Sequence, residues 1–130
     1  MNLHRLLAAR AEAANPVRVG LIGAGKFGAM FLAQARRTTG LHILGIADLD
    51  VARARASCHE TGWTAEQIGA ASLSEALRGG ATYLGDDAEA LIRADGLDVV
   101  IEATGNPVAG IRHCLAGLEH GRHMVMVNVE

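Results

Sequence analysis

Apolar residues gather into five short runs: Val17–Ile22, Leu41–Asp48, Thr82–Leu84, Leu97–Glu102 and His123–Asn128. Near-continuous apolar runs of this length predict strands buried on both faces, and the three-to-four-residue recurrence of apolar positions between them predicts helices. The expected helices run from about Lys26 to Thr38, Val51 to Thr61, Asp87 to Ala94 and Val108 to His120. Asp50, Asp86-Asp87 and the Thr104–Pro107 loop supply their starts, while Gly40 and Gly121 lie where helix ends favour glycine. Ahead of the first strand, Leu3–Ala14 carries apolar residues at 3, 6, 7, 11 and 14 and reads as a short amphipathic helix broken by Asn15-Pro16. Between residues 62 and 80 two capping-box pairs, Thr64 with Gln67 and Ser72 with Glu75, mark candidate helix starts, and Trp63 beside them reads as a packing anchor.

Strands that alternate with helices predict an α/β fold: a Rossmann-type doubly wound parallel sheet of order 3-2-1-4-5 with right-handed crossovers and a short N-terminal helix. On this reading residues 1–15 are a helical extension and residues 16–130 one dinucleotide-binding domain. Such sheets bind ligands at the carboxyl ends of their strands, where the order reverses between strands one and four.

That edge carries the informative chemistry. Gly23-Ala24-Gly25-Lys26-Phe27-Gly28 joins the first strand to the next helix. A helix start of this kind aims unpaired backbone N–H groups and the positive end of a helix dipole at one point, which suits a pyrophosphate. Gly23 serves the tight turn, Gly25 the close approach of phosphate and Gly28 the packing of helix on strand. Asp48 ends the second strand 20 residues beyond Gly28, where an acid accepts hydrogen bonds from an adenosine ribose. A glycine-rich turn in another α/β protein, with a chance acid at the next strand end, is the competing reading.

A length of 130 residues fits one domain and is short for a whole dehydrogenase. Half the residues are apolar and the formal charge is −2, which leaves no basic footprint for nucleic acid. Strand-length apolar runs, with Arg5 and Arg10 breaking the N-terminal segment, argue against a membrane span or secretory signal and for a cytoplasmic protein. Cys58 and Cys114 lack metal or disulfide spacing and read as thiols on helices. Glu102, inside an apolar strand, is expected to hold a structural hydrogen bond. His113, His120 and His123 with Cys114 are expected to lie away from the cofactor edge and to hold no metal.

The stretches Val17–Gly28, Asp98–Pro107 and His123–Glu130 resemble the N-terminal nicotinamide-dinucleotide domain of homoserine-dehydrogenase-like oxidoreductases. With the Met1-Asn2-Leu3 helix leading into Asn15–Gly23, the chain resembles more narrowly the bacterial proteins that are similar to 1-deoxyxylulose-5-phosphate reductoisomerase and carry a C-terminal SAF domain. The resemblance implies Gly23, Gly25 and Gly28 around the pyrophosphate, with Lys26 solvated and Phe27 anchoring the helix in the core. It implies Asp48 on the ribose, hence NAD rather than NADP, with Arg53 and Arg55 keeping NADP open. It places Thr104 and Gly105 beneath the nicotinamide ribose and Asn128 at the nicotinamide amide, although capping of the following helix also accounts for Thr104 and Asn106. No lysine follows Asn128, and Glu130 stands nearby, a departure from the homoserine dehydrogenase pattern.

The substrate domain of such an enzyme follows the fifth strand, so the chain reads as a truncated or excised cofactor half. The expected partners are a dinucleotide, a small hydroxy or oxo substrate bound by the absent domain and, through an exposed apolar edge, a second copy. A non-catalytic NAD(H) sensor is the alternative, and a flavin or S-adenosylmethionine site is a third reading of the glycine loop.

Overall fold

A computed structural model describes residues 2–127. The elements in chain order are α1 (Leu3–Glu12), β1 (Val17–Ile22), α2 (Lys26–Ala35), β2 (Leu41–Ala47), α3 (Val51–Glu60), α4 (Leu73–Gly79), β3 (Tyr83–Gly85), α5 (Ala88–Ile92), β4 (Val99–Glu102), α6 (Pro107–Glu119) and β5 (His123–Met126). All five strands pair in parallel in the order β3-β2-β1-β4-β5, so the order reverses at β1 and β4 as the alternation of elements requires.

Two apolar layers sandwich the sheet. Leu32 and Ala35 of α2 and Ala54 and Cys58 of α3 pack with Leu21, Ile43 and Ile46 on one face. On the other, Ala76 of α4 and Leu91 and Ile92 of α5 pack with Ile22, Leu44 and Val100, and Ala116 of α6 leans on that layer. Leu91 sits where Gly20 and Gly45 lie side by side in register; a Cβ on Gly45 would come within 2.8 Å of its side chain, and one on Gly20 within 3.1 Å. These paired glycines form a slot that lets α5 approach the middle of the sheet. Trp63 is the packing anchor expected, its indole donating to the Leu32 carbonyl at 3.1 Å.

Several boundaries differ from the pattern reading. The Thr64–Gln67 box closes reciprocally, Gln67 N donating to the Thr64 hydroxyl and Thr64 N to the Gln67 amide oxygen, yet it stabilises a turn without a helix after it. The Ser72–Glu75 box does open α4. Phe27 is 40% exposed instead of anchoring its helix. The reason is phase: the buried stripe of α2 is Gly28, Leu32 and Ala35, and Phe27 lies beside it. Asn128 and Glu130 lie outside the described residues.

One face stays uncovered. Val108, Ile111, Leu115 and Leu118 recur along the outer side of α6, and all are exposed, as in part are Val125 and Met126 of β5. Apolar residues at that spacing make a helix face suited to burial rather than to water.

Candidate functional site

The first turn of α2 is built to leave its amides open. Among the described residues, Asn2, Asp50, Ser72, Asp87 and Asn106 each cap a helix by accepting from a backbone N–H three residues on, whereas α2 begins at Gly25 with no side-chain cap. The three glycines divide the work differently than a motif suggests. Gly23 has φ +96°, and a Cβ there would stand 2.6 Å from the Ala103 carbonyl oxygen; one on Gly28 would stand 2.5 Å from the Gly23 carbonyl oxygen. The chain itself enforces those two. Around Gly25 no atom lies within 4 Å of such a Cβ, so nothing in the protein demands glycine there.

The peptide between the first two glycines is tied to the next βα unit. Ala24 N donates to Asp48 Oδ2 at 2.8 Å, and the Ser57 hydroxyl donates to the Ala24 carbonyl at 3.0 Å. Asp48 is therefore the hub of this corner, its side chain 2% exposed. Its Oδ1 accepts from Asp50 N at 2.8 Å, and its Oδ2 also takes Arg53 Nε at 3.2 Å and Arg53 Nη2 at 2.7 Å. Burial alone would raise this carboxyl. The Arg53 hydrogen bonds, the Ala24 and Asp50 amides and the Arg53 charge more than offset that and hold it below the usual carboxylate range. Arg53 is itself pushed up by the same contact.

A second carboxylate closes β4. Glu102 is fully buried; its Oε1 accepts from both the amide and the hydroxyl of Thr104, and its Oε2 pairs with His113 Nδ1 from α6. The Thr104 hydroxyl also accepts from Asn106 N at 3.2 Å, and Asn106 Oδ1 caps α6. Between these two acids opens a cleft of about 650 Å³, lined by residues that include Gly23, Asp48, Arg53, Thr104, Arg112 and His113. It lies across the carboxyl ends of β1 and its neighbours, which is where a doubly wound sheet takes a ligand.

Residues 17–127 match the Gfo/Idh/MocA family, an oxidoreductase family with an NAD-binding Rossmann fold. The chain belongs to that family. No curated protein matches it. Among solved structures it is similar to myo-inositol dehydrogenase from Lactobacillus casei in complex with NAD(H) and myo-inositol, at 19% identity and TM-score 0.63, over 85% of this chain and 28% of that one. It is similar also to biliverdin reductase from Synechocystis in complex with biliverdin and NADP+, at 23% identity and TM-score 0.60, over 85% and 29%. A third is scyllo-inositol dehydrogenase from Lactobacillus casei, at 13% and 0.60, over 85% and 27%. The chain thus spans less than a third of the length of these proteins.

As a Gfo/Idh/MocA domain, the chain presents most of its sequence-expected site residues along one edge. Gly23, Asp48 and Thr104 line the cleft, and Gly25, Lys26, Phe27 and Gly28 continue the loop from Gly23. Gly105, at φ +72°, follows Thr104 on the exposed strand-four loop. Lys26 is exposed, and Arg55 is exposed while Arg53 alone of the two contacts Asp48. His113 corrects the expectation that the histidines lie away from this edge: it pairs with Glu102 and lines the cleft. The buried face of α6 is Gly110, His113 and Gly117, a histidine flanked by glycines one turn away on each side, and that spacing was the signal available in the sequence. Among the described residues no group of three or more His, Cys, Asp and Glu side chains is placed to hold a metal. No helix of the described residues is long and apolar enough to cross a membrane.

Proposed function

We propose that the cleft holds a nicotinamide dinucleotide along the carboxyl edge of the sheet, as the cofactor half of an oxidoreductase that moves hydride to or from a small hydroxy or oxo substrate. The observation that carries this reading is Gly25: it is free of any protein neighbour at its missing Cβ and opens the one described helix without a side-chain cap. A diphosphate fits that place, because it needs exposed amides, a helix N-terminus and room at the backbone together. In this arrangement Gly23, Gly25 and Gly28 shape the turn, the amides following Gly25 face the pyrophosphate, and Lys26 and Phe27 flank it in solvent. Asp48 and Leu49 meet the adenosine. Thr104 and Gly105 underlie the nicotinamide ribose, and Asn128 meets the nicotinamide amide. The bound nicotinamide supplies the hydride chemistry, and the protein's part is binding and orientation.

Residues 1–15 act as an extension of a domain spanning 16–130, and the substrate is held by a separate domain. The uncovered α6 stripe supports a further surface packing there, from that domain or a second copy. A narrower kinship with the reductoisomerase-like, SAF-bearing proteins rests on the Met1-Asn2-Leu3 segment leading into Asn15–Gly23, added to the 17–28, 98–107 and 123–130 stretches, and the missing lysine after Asn128 departs from the homoserine dehydrogenase pattern. We place the protein in the cytoplasm. The test is calorimetric titration with NADH and NADPH beside flavin mononucleotide and S-adenosylmethionine, with amide exchange followed at Gly25 and Gly28. Binding of a nicotinamide dinucleotide that protects those amides supports the reading; protection by another nucleotide alone, or by none, overturns it.

A further inference from the structure

A carboxylate ending β2 is expected to take the two ribose hydroxyls and to repel a 2′-phosphate. Asp48 is not free to do so as it stands. Four donors occupy its two oxygens, two of them from Arg53, and its side chain is 2% exposed. Three of those donors crowd onto Oδ2 and Asp50 N takes Oδ1, so Asp48 keeps at most one acceptor position, and a ribose diol can pair with it through both hydroxyls only by displacing Arg53. What faces the cleft at this corner is the guanidinium, with the Arg53 side chain 54% exposed and on the cleft wall.

We propose that Arg53 makes this corner a 2′-phosphate site, so that the protein binds NADP(H) at least as tightly as NAD(H); the inference rests on the dinucleotide reading above. The guanidinium has five N–H groups and gives two to Asp48, and the remaining three keep a fork that matches phosphate oxygens. The ion pair cancels the charge that would otherwise repel a dianion, and Asp48 in turn holds Arg53 at the corner. The other acids on the cleft wall are Asp86, Asp87 and Glu89; Asp87 is engaged as the cap of α5, and Glu89 is 3.8 Å from Arg93. Arg112 adds a cation from α6. A phosphate at this corner therefore depends on Arg53 for its contact from the β2 side.

The experiment measures affinities of NADH and NADPH for the wild type, Arg53→Ala and Arg53→Lys, each checked for an unchanged circular dichroism spectrum. Wild type is expected to bind NADPH as tightly as NADH or tighter, and more salt-sensitively. Arg53→Ala is expected to move the affinity ratio toward NADH by about tenfold or more, because it removes the phosphate fork and uncovers Asp48. Arg53→Lys should fall between. A wild type that favours NADH by tenfold, or an Arg53→Ala that weakens both cofactors equally or neither, overturns the inference while leaving the dinucleotide site standing. Failure of the wild type to bind either cofactor overturns both.

Discussion

Two acids end the strands that flank β1, and they are held in opposite ways. Glu102, at the end of β4, is fully buried and pairs with a charge partner that is itself packed, His113 from the inner face of α6, while its other oxygen takes the amide and hydroxyl of Thr104 on the exposed loop that follows. Asp48, just after β2, is as deeply buried, but its charge is answered by an arginine standing half in water. The first is a fixed node that welds the strand-four loop to its helix. The second can exchange its partner for a ligand without unfolding anything, because Arg53 has solvent to move into. Burial of a carboxylate thus says little about function until its counterpart's exposure is known.

The sharpest way to break this contrast is Glu102→Ala, which leaves His113 with an unpaired polar group in the interior and cuts the Thr104 loop from the end of β4. It should cost about 3 kcal/mol, read from the urea unfolding midpoint. Arg53→Ala, removing the exposed partner of the other acid, should cost well under about 1 kcal/mol in the same measurement, and equal losses would erase the distinction. Gly23→Ala should destabilise by about 2 kcal/mol or more, through its φ of +96° and the Ala103 carbonyl 2.6 Å from the new methyl. Gly25→Ala should leave unfolding within about 0.5 kcal/mol while weakening dinucleotide binding at least about tenfold, which separates a glycine kept for the scaffold from one kept for a ligand. Asp48→Ala should weaken NADH more than NADPH in calorimetric titration, since NADH loses its ribose acceptor whereas NADPH keeps the Arg53 charge and loses only the carboxylate that positions it.

The smallest effects are those of pH. Asp48 binds its proton less readily folded than unfolded, so its contribution is present above the ordinary value of 3.8 and is lost as pH falls below it. Asp48→Asn should flatten that acid limb of the melting curve. Buried His42 is lowered by desolvation and, less, by Arg18, against an opposing hydrogen bond to the Ala81 carbonyl. The unfolded chain then takes up a proton that the native state resists, so stability is full above about 6.5 and declines as pH falls below it. Melting temperatures between pH 7.5 and 5.5 for wild type and His42→Gln check the sign.

What the sequence made legible was what is local. The strand order follows from alternation, β1 runs over the residues expected, and Asp50 and Asp87 cap their helices as their positions indicate. What it hid depends on distance or phase. Glu102 and His113 meet across 11 positions because β4 and α6 pack, and neither residue betrays the other. The Leu91 slot needs the register of β1 against β2, which no single run reveals. Phe27 misled because one residue's rotation around α2 moves a ring from core to water. The coupling of Arg53 to Asp48 was half visible: proximity could be read from the spacing, but not that the arginine would put two donors on one oxygen of the acid.

Ala24 gives that corner a mechanical consequence. Its N–H is held by Asp48 and its carbonyl by Ser57, so the two peptide units that meet at this residue are gripped, one from the end of β2 and the other from α3. Whatever tugs on Asp48 when a sugar displaces its arginine, or a phosphate pulls on that arginine, is delivered to the residue that adjoins the amide of Gly25. The nucleoside end and the diphosphate end are therefore yoked, and the choice between two nearly identical coenzymes should be felt as a change in how firmly the phosphate loop grips either of them.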